Sequence, residues 1–313
     1  MTSDHMKAAP QSAAEHRAGF ICFVGRPNAG KSTLTNALVG EKIAITSTKP
    51  QTTRRAIRGI VHRPTAQLIL VDTPGLHRPR TLLGERLNDL VRETLLDVDV
   101  VAMCIPADQK VGPGDTYIAA ELEELRRGGR QKPLIAVVTK ADLVTRPQLA
   151  EQLVAVDQLA PWTAVIPVSA VSEFQIETLV EVLAEQLPLS PPLYPQDTTH
   201  DEQRDVTIAE LVREAALEGV HHEVPHSLNV VVEDIEEREG SRGLLDVRVS
   251  IFVERESQKG IVIGRGGGRL KEIGTAARGQ IEQLLGQRIH LDLRVKVARE
   301  WQRDPRALNR FGF

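Results

Sequence analysis

The stretch from Gly25 to Ser32 reads G-R-P-N-A-G-K-S, and it most constrains what this chain can fold into. The pattern G-x-x-x-x-G-K-[ST] describes a loop whose backbone N–H groups surround nucleotide phosphates. Its lysine, Lys31, reaches the β- and γ-phosphates, and the hydroxyl of Ser32 ligates Mg²⁺. An apolar run precedes the loop and a helical run follows it, so a helix N-terminus also faces the phosphates. The sequence therefore predicts a nucleoside triphosphate site. The phosphate-binding residues expected are Gly25, Asn28, Ala29, Gly30, Lys31, Ser32 and Thr33.

The first half of the chain alternates short apolar runs with amphipathic stretches. This pattern is typical of a mostly parallel sheet covered by helices on both faces, a doubly wound α/β fold. The predicted strands are Phe20–Val24, Ala56–Val61, Gln67–Val71, Val98–Ile105, Leu134–Thr139 and Ala164–Val168. The link between the second and third runs is too short for a crossover helix, so we expect that pair to be antiparallel.

Two polar segments follow the phosphate loop in the order that a nucleotide switch requires. The segment 47–54 is polar and aperiodic, and Thr53, in preference to Thr52, is predicted to reach Mg²⁺ and the γ-phosphate; a plain surface loop is the alternative. A D-T-P-G sequence then follows a buried run, where ligands bind in open α/β sheets. Its Asp72 would hold Mg²⁺ through water, and the N–H of its Gly75 would contact the γ-phosphate. The predicted catalytic residues are Lys31, Thr53, Asp72 and Gly75, and the predicted metal ligands are Ser32, Thr53 and Asp72.

Two later strand ends supply candidates for base recognition. Thr139, Lys140 and Asp142 follow one predicted strand, and Ser169 and Ala170 follow the next. The Asp142 carboxylate can accept hydrogen bonds from N1–H and the exocyclic amine of guanine. Adenine has no donors there and would leave a carboxylate unpaired, which predicts discrimination in favour of GTP and GDP.

These motifs together resemble the GTPase superfamily, in which they occur in this order and at this approximate spacing. The runs G-R-P-N-A-G-K-S-T and D-T-P-G-L are similar to those of the Era GTPases, a bacterial ribosome-assembly branch of that superfamily. The resemblance implies hydrolysis of GTP with Mg²⁺. Thr139 departs from the family pattern, which has asparagine there, and we expect this change to weaken a side-chain contact that braces the base site.

The residue after the D-T-P-G sequence is Leu76, where Ras-like GTPases carry a glutamine that orients the attacking water. We expect slow intrinsic hydrolysis that a partner or an ion accelerates. Related Pro-Asn GTPases that lack the glutamine resemble this arrangement and hold K⁺ against the phosphates. Here Asn28 would ligate the ion through its side-chain carbonyl. The alternative is that Asn28 only stabilises the loop by hydrogen bonding.

The second half of the chain begins with four prolines between Leu187 and Pro195, which predict an extended linker. Beyond the linker we predict a helix over 206–217, a hairpin of Leu228–Ile235 and Leu244–Val253, a helix, a G-x-x-G loop, a helix over 270–285 and a strand Ile289–Val297. This order resembles a type II KH domain, whose G-x-x-G loop holds about four nucleotides of single-stranded nucleic acid. The predicted fold class is a P-loop GTPase domain followed by an α+β type II KH domain.

The G-x-x-G loop and its surroundings supply the candidate RNA contacts. Its glycines let the backbone approach phosphates, and its cations supply countercharge. From Arg255 to Phe313 there are thirteen Lys and Arg against six Asp and Glu, a net charge of +7 in a chain whose total is −3. This local excess predicts a directed nucleic-acid face, and a solvated basic helix is the alternative. The predicted RNA-binding residues are Gly264, Arg265, Gly266, Gly267, Arg269 and Lys271.

The expected domains are 18–188 for GTP binding, 189–200 for the linker, 201–300 for the KH domain and 301–313 for a basic tail, after a disordered segment 1–17. The resemblance to Era GTPases implies a monomer that binds near the 3′ end of small-subunit (16S) ribosomal RNA and acts in assembly of the 30S subunit. Two alternatives stay open: a membrane-associated cell-cycle GTPase that binds anionic lipid, and an NTPase whose KH unit contacts only protein.

The apolar runs, the N-terminal segment and the cysteines of the sequence indicate where in the cell the protein acts. No apolar run approaches the roughly 20 residues of a membrane span. Residues 1–17 also lack the apolar core of a signal peptide, which predicts a cytoplasmic protein with at most peripheral membrane contact. The two cysteines, Cys22 and Cys104, lie in apolar runs, so we expect buried thiols rather than a disulfide or a metal site.

Overall fold

The computed structural model describes residues 16–47, 49, 52–128, 131–219, 224–238, 240 and 243–313. Within these ranges the chain forms two units joined by a linker. The predicted disordered segment 1–17 falls outside them except for His16 and Arg17, and Arg17 starts the first strand. Part of the predicted switch segment, residues 48, 50 and 51, also lies outside the described residues.

The first unit is a six-stranded sheet with helices on both faces. Strands β1 to β6 span Arg17–Val24, Ile57–Arg63, Ala66–Asp72, Val100–Pro106, Leu134–Thr139 and Ala164–Pro167. Helices α1 to α5 span Lys31–Val39, Leu82–Asp97, Pro113–Gly128, Arg146–Asp157 and Ile176–Glu185. The strand order is β2-β3-β1-β4-β5-β6, and β2 with β3 is the antiparallel pair. The predicted doubly wound fold and its antiparallel second strand are confirmed.

Two apolar cores lie on the opposite faces of this sheet. In β1, Ile21 and Phe23 face the core that includes α1 and α5, whereas Cys22 and Val24 face the core that includes α2 and α3. Because both faces are covered, the parallel strands read as continuous apolar runs. Cys22 and Cys104 are buried and free, as predicted, and burial raises the pKa of both thiols to about 12.

The second unit packs helices on one face of a three-stranded sheet. Helices α6 to α9 span Arg204–Leu217, Val224–Ser227, Glu256–Ile263 and Gly268–Leu285, and strands β7 to β9 span Asn229–Glu237, Leu244–Val253 and Arg288–Val297. The β7–β8 pair is antiparallel, as the hairpin prediction required, and β9 lies parallel to β8. The sequence did not predict α7, because four residues carry no helical periodicity. None of the helices in the described ranges is long and apolar enough to cross a membrane.

The linker is fixed along the first domain by hydrogen bonds. The buried Gln67 of β3 accepts hydrogen bonds from the backbone N–H groups of Leu193 and Tyr194, at 2.6 and 2.9 Å, and donates to Tyr194 O at 2.8 Å. Farther along, Thr199 O accepts from Ile60 N of β2 at 2.8 Å. The position of the linker is therefore set by side-chain and backbone contacts as well as by its prolines.

Residues 301–313 fold back onto the first domain. A 3₁₀ turn over Trp301–Arg303 leads into helix α10, Pro305–Arg310, which Asp304 caps by accepting from Arg306 N. Their apolar side chains join α2 in one core cluster shared by both domains, whose buried members are Leu83, Leu87, Phe252, Trp301, Leu308 and Phe311. The aromatic rings of Trp301 and Phe311 thus belong to the domain interface. The sequence indicated only a basic tail here.

Candidate active site

The predicted nucleotide motifs converge on one edge of the first sheet. They follow the carboxyl ends of β1, β3, β5 and β6, where open α/β sheets bind their ligands. A cleft of about 690 Å³ lies at this edge. Its lining includes the phosphate loop from residue 27 onward, Thr53, Gly75 and Lys140, together with Leu217, Glu218 and Gly219 at the end of α6. The residues at the end of α6 belong to the second domain, and no sequence motif predicted that they would line this cleft.

The phosphate loop holds its lysine in place. Lys31 is buried at the start of α1, and its Nζ donates to Gly25 O at 3.2 Å and to Arg26 O at 3.1 Å. Burial lowers the pKa of Lys31, although the nearby Asp72 carboxylate opposes the shift. A cation held this way by carbonyl groups at the floor of the cleft offers positive charge to a phosphate without needing to reorganise.

Three oxygen-bearing side chains meet at the end of the cleft where Mg²⁺ is predicted to bind, which we call the metal end. Ser32 Oγ donates to Asp72 Oδ2 at 2.6 Å, and Thr53 Oγ1 lies 2.8 Å from Ser32 Oγ and 3.4 Å from Asp72 Oδ2. Asp72 is fully buried, and in the part of the chain that the structure describes its Oδ1 has no hydrogen-bond partner. Burial raises the pKa of Asp72, and Lys31 and the two hydroxyls oppose the shift.

This donor set fits Mg²⁺, a hard cation that prefers oxygen ligands. A divalent ion would supply the partner that the buried Oδ1 atom of Asp72 lacks. The geometry also separates the two adjacent threonines. The hydroxyl of Thr52 donates to Lys49 O at 2.7 Å, away from Asp72, which favours Thr53 as the residue that reaches the metal.

The D-T-P-G segment lies directly against the phosphate loop. A Cβ added at Gly75 would stand 2.7 Å from Pro27 N and 2.9 Å from Pro27 Cα, so only glycine permits this approach. The next side chain, Leu76, is buried in the core under α2 and α3. It therefore presents no polar group to an attacking water.

The loops after β5 and β6 form the end of the cleft where the base is predicted to bind, which we call the base end. Thr139 is buried, and its hydroxyl donates to Ala29 O of the phosphate loop at 2.6 Å. The threonine hydroxyl therefore reaches the phosphate loop, so a side-chain contact that braces the base site is present although the residue is not asparagine. Ala141 N donates to Val168 O at 3.1 Å, which ties the two base loops together.

The remaining predicted base residues lie at this same end. Lys140 has a left-handed backbone, φ 59°, and its Nζ stands 3.6 Å from Asp108 Oδ2. Asp142 is exposed to solvent. Ser169 is buried and its Oγ accepts from Ser172 N at 3.1 Å, while Ala170 is half-buried. The lining of the 690 Å³ cleft includes Lys140 but not Asp142, Ser169 or Ala170.

The backbone beside Thr53 is held by the second domain. Arg213 of α6, which is 1% exposed, donates from Nη2 to Thr52 O and is paired with Glu210 on its own helix. On the other side, Arg54 donates to Leu228 O at 2.7 Å and to Pro225 O at 3.2 Å. Burial, with the neighbouring Arg213 charge, lowers the pKa of Arg54 to about 9. These contacts join residues more than 160 positions apart, so no local signal could have predicted them.

The G-x-x-G loop lies between α8 and α9. A Cβ at Gly264, where φ is +73°, would stand 2.6 Å from Arg269 Cβ, whereas a Cβ at Gly266 or Gly267 would meet nothing within 4 Å. Arg265 and Lys271 are exposed. Arg269 is half-buried instead, because its guanidinium packs on Gly219. The loop therefore presents two glycines and two cations to the surface.

Two family profiles match the chain. The profile described as 50S ribosome-binding GTPase covers residues 20–140, and the KH domain profile covers residues 223–302. Curated relatives match over nearly their whole length. GTPase Era of Mycolicibacterium smegmatis is 58% identical over 300 residues, which are 96% of this chain and 99% of that protein. GTPase Era of Streptomyces coelicolor is 58% identical over 306 residues, 95% of each chain.

Solved structures with both domains are also similar. Era in complex with MgGDPNP and nucleotides 1506–1542 of 16S ribosomal RNA has a TM-score of 0.91 at 34% identity, covering 95% of this chain and 99% of that one. A point variant of Aquifex aeolicus Era bound to GDP and AlF₄⁻ has a TM-score of 0.89 with the same identity and coverage. The similarity includes the placement of the two domains as well as each fold.

Proposed function

The chain belongs to the Era family of GTPases, which hydrolyse GTP to GDP and phosphate, and from this premise we propose how its two domains divide the work. The first domain binds and hydrolyses GTP with Mg²⁺. The second domain binds single-stranded RNA near the 3′ end of small-subunit ribosomal RNA, in the course of 30S subunit assembly. The observation that carries the RNA assignment is the G-x-x-G loop, which in a fold shared with an RNA-bound relative presents bare backbone and cations at the surface.

Within the first domain, the predicted residues have separate roles. Lys31 and the N–H groups of the phosphate loop bind the β- and γ-phosphates, and the Gly75 N–H contacts the γ-phosphate. Ser32, Thr53 and Asp72 hold Mg²⁺, which when bound neutralises charge that develops on the phosphate oxygens. Asp142 reads guanine, and Thr139 fixes the base loop to the phosphate loop through Ala29 O. The contacts among Ser32, Thr53 and Asp72 support this division.

The buried Leu76 leaves the hydrolysis step without a side chain to orient water or to stabilise the charge that develops on the transferred phosphoryl group. We propose that K⁺ held by Asn28 stabilises this charge. Asn28 is exposed in the phosphate loop with φ 62°, three residues before Lys31. Hydrolysis is expected to be faster in K⁺ than in Na⁺ at equal ionic strength, and Asn28→Ala should abolish the difference. Equal rates in the two salts for the unchanged protein would assign Asn28 a purely structural role.

The RNA assignment is tested best at Gly267. A side chain there has open space, and Asp and Asn both tolerate its left-handed backbone, φ +78°. Gly267→Asp should abolish binding of a synthetic RNA with nucleotides 1506–1542 of 16S ribosomal RNA, because it places negative charge beside phosphates. Gly267→Asn has nearly the same shape without the charge, so it serves as the matched control and should bind more tightly than the Asp variant. Similar weak binding by both variants would indicate a steric effect.

The two exposed cations give an independent measurement. Replacing Arg265 or Lys271 with alanine should reduce the slope of log affinity against log salt by about 1 for each lost phosphate contact. Lys110→Ala removes the same charge from an exposed position on the first domain, and it should leave the slope unchanged. If Lys110→Ala acts like the other two, only the total charge of the protein matters.

The alternative partners are separated by competition. Vesicles of anionic phospholipid should not sediment the protein when the 16S RNA fragment is present, if the basic face is an RNA site. Sedimentation that RNA does not reduce would favour the membrane-associated GTPase. Failure to bind either one would favour a KH unit that contacts protein only.

A further inference from the structure

Thr53 owes its position to residues on both sides of it. Its hydroxyl lies within hydrogen-bonding distance of Ser32 Oγ, while Thr52 and Arg54 make long-range contacts with the second domain. In GTPases generally, contacts to the γ-phosphate and Mg²⁺ order the switch segment that carries this threonine. Here, the protein itself supplies additional anchors immediately before and after it.

The anchor before Thr53 is the side chain of Arg213. Its guanidinium lies at the interface, bonded to Thr52 O by Nη2 and to both carboxylate oxygens of Glu210 by Nε and Nη2. Glu210 is three residues earlier on α6, so the ion pair holds the guanidinium in one orientation. A carbonyl one residue from Thr53 is therefore fixed to a rigid helix of the other domain.

The anchor after Thr53 is Arg54. This side chain is 2% exposed, donates to two backbone carbonyls at the α7–β7 junction and lies 5.7 Å from the centre of the Trp301 ring. Arg54 and Arg213 repel each other, and both are shielded from water. Two buried cations restrict the backbone strongly, because a shift would leave a guanidinium unpaired at low dielectric.

We propose that Arg213 and Arg54 are positioning residues for GTP hydrolysis, which act by holding the Thr53 hydroxyl at the metal site. The second domain thereby takes part in the chemistry of the first without touching the nucleotide through these two side chains. This inference rests on the proposed role of Thr53 as a metal ligand. It predicts a defect in the hydrolysis step that leaves the binding of GDP unchanged, since GDP has no γ-phosphate for Thr53 to serve.

The test combines single and double variants of the full chain. Arg213→Met should lower kcat for GTP about 10-fold to 100-fold, because a small displacement of a catalytic group has effects of this size. The affinity for GDP should not change, and half-maximal hydrolysis should require more Mg²⁺. Arg213→Lys keeps the charge and a donor, so it should recover part of the loss. Arg54→Met should follow the same pattern.

Epistasis distinguishes positioning from general damage. Thr53→Ala alone should lose hydrolysis, and adding Arg213→Met to it should cause no further loss in kcat, because Arg213 acts through Thr53. An equal further loss in the Thr53→Ala background would overturn the inference. If Thr53→Ala itself hydrolyses GTP normally, the proposed role of Thr53 fails first, so the two failures are distinguishable.

Lys42→Ala is the matched control for a weakened interface. Lys42 also crosses between the domains, to Glu214 and to Gln280, but it lies away from Thr53 in the chain. Its loss should leave kcat unchanged. If Lys42→Ala lowers kcat as much as Arg213→Met does, the effect belongs to domain docking as a whole and the specific role of the two arginines is refuted.

Discussion

The two ends of the nucleotide cleft are constructed differently. At the base end, Thr139 donates to Ala29 O and Ala141 N donates to Val168 O. Both hydrogen bonds join loops of the first domain. At the metal end, the residues beside Thr53 are held by Arg213 and by backbone carbonyls of the second domain. The base end should therefore work whatever the second domain does, whereas the metal end should depend on it. Four experiments examine this difference.

The largest effect is expected at the base end. Asp142→Asn should weaken GTP binding about 1,000-fold or more, because a site built to accept hydrogen bonds discriminates strongly when its acceptor changes. Xanthosine triphosphate should gain affinity, since its C2 carbonyl accepts from the new amide. Titration with labelled nucleotides measures both affinities. The kcat for xanthosine triphosphate should approach that of the unchanged protein with GTP; a low kcat would mean that the two ends are coupled.

Trp301→Ala tests the metal end from the far side of the interface. The indole is fully buried, donates to Ser227 O at 2.9 Å and packs beside Arg54, so truncation should cost about 3–5 kcal/mol of unfolding free energy. Urea unfolding measures this loss. At temperatures where the variant is folded, kcat should fall and GDP affinity should not. Trp301→Phe keeps most of the packing, so it should lower the unfolding free energy by little more than the loss of the hydrogen bond to Ser227 O.

Thr139→Ala probes the bond that ties the base loop to the phosphate loop. It leaves Ala29 O without its partner, which should cost about 1–3 kcal/mol of nucleotide binding free energy. The dissociation rate of GDP should rise accordingly, with kcat little changed. Thr139→Ser retains the hydroxyl and serves as the control. Unchanged GDP dissociation in the alanine variant would show that the base end has another support.

The smallest effect concerns the buried carboxyl at the metal end. Burial raises the pKa of Asp72 above its ordinary value of 3.8, so the folded chain binds this proton more tightly than the unfolded chain does. The stability linked to that proton is present at low pH and is lost as pH rises through the folded pKa. In EDTA, the melting temperature of Asp72→Asn relative to the unchanged protein should therefore increase as pH rises above the ordinary pKa of 3.8. A decrease over this range would mean that Lys31 and the hydroxyls stabilise the carboxylate more than burial disfavours it.

The sequence predicted the fold well because the fold depends on short-range patterns. A strand, a turn and a helix N-terminus place Lys31 and Ser32 within one local unit, and parallel topology brings Asp72 and Asp142 to the same sheet edge. The choice of Thr53 over Thr52 also agrees with the geometry. Thr139 bonds Ala29 O although the family pattern has asparagine there, because the threonine hydroxyl is a donor that reaches the loop.

The sequence could not predict the support at the metal end. Arg213 reads as one charge among several on an amphipathic helix, and its carbonyl partner carries no signature in the sequence. Residues 301–313 carry three arginines, which indicate a basic tail, whereas the apolar Trp301, Leu308 and Phe311 determine where this segment packs. Contacts between domains depend on the relative placement of two independently patterned units, which periodicity within either unit does not encode.

The path of the linker has a consequence for solubility. Strand β2 lies at an edge of the six-stranded sheet, and an uncovered edge offers unpaired backbone groups to other chains. Thr199 O accepts from Ile60 N at 2.8 Å, and Gly59 pairs with His200, so the linker shields this edge. A fragment that ended at residue 188 would keep every nucleotide motif, yet it should aggregate edge to edge, whereas one that continued through residue 201 should stay dispersed. Light scattering of the two fragments would measure how far a segment without secondary structure of its own protects the sheet from self-association.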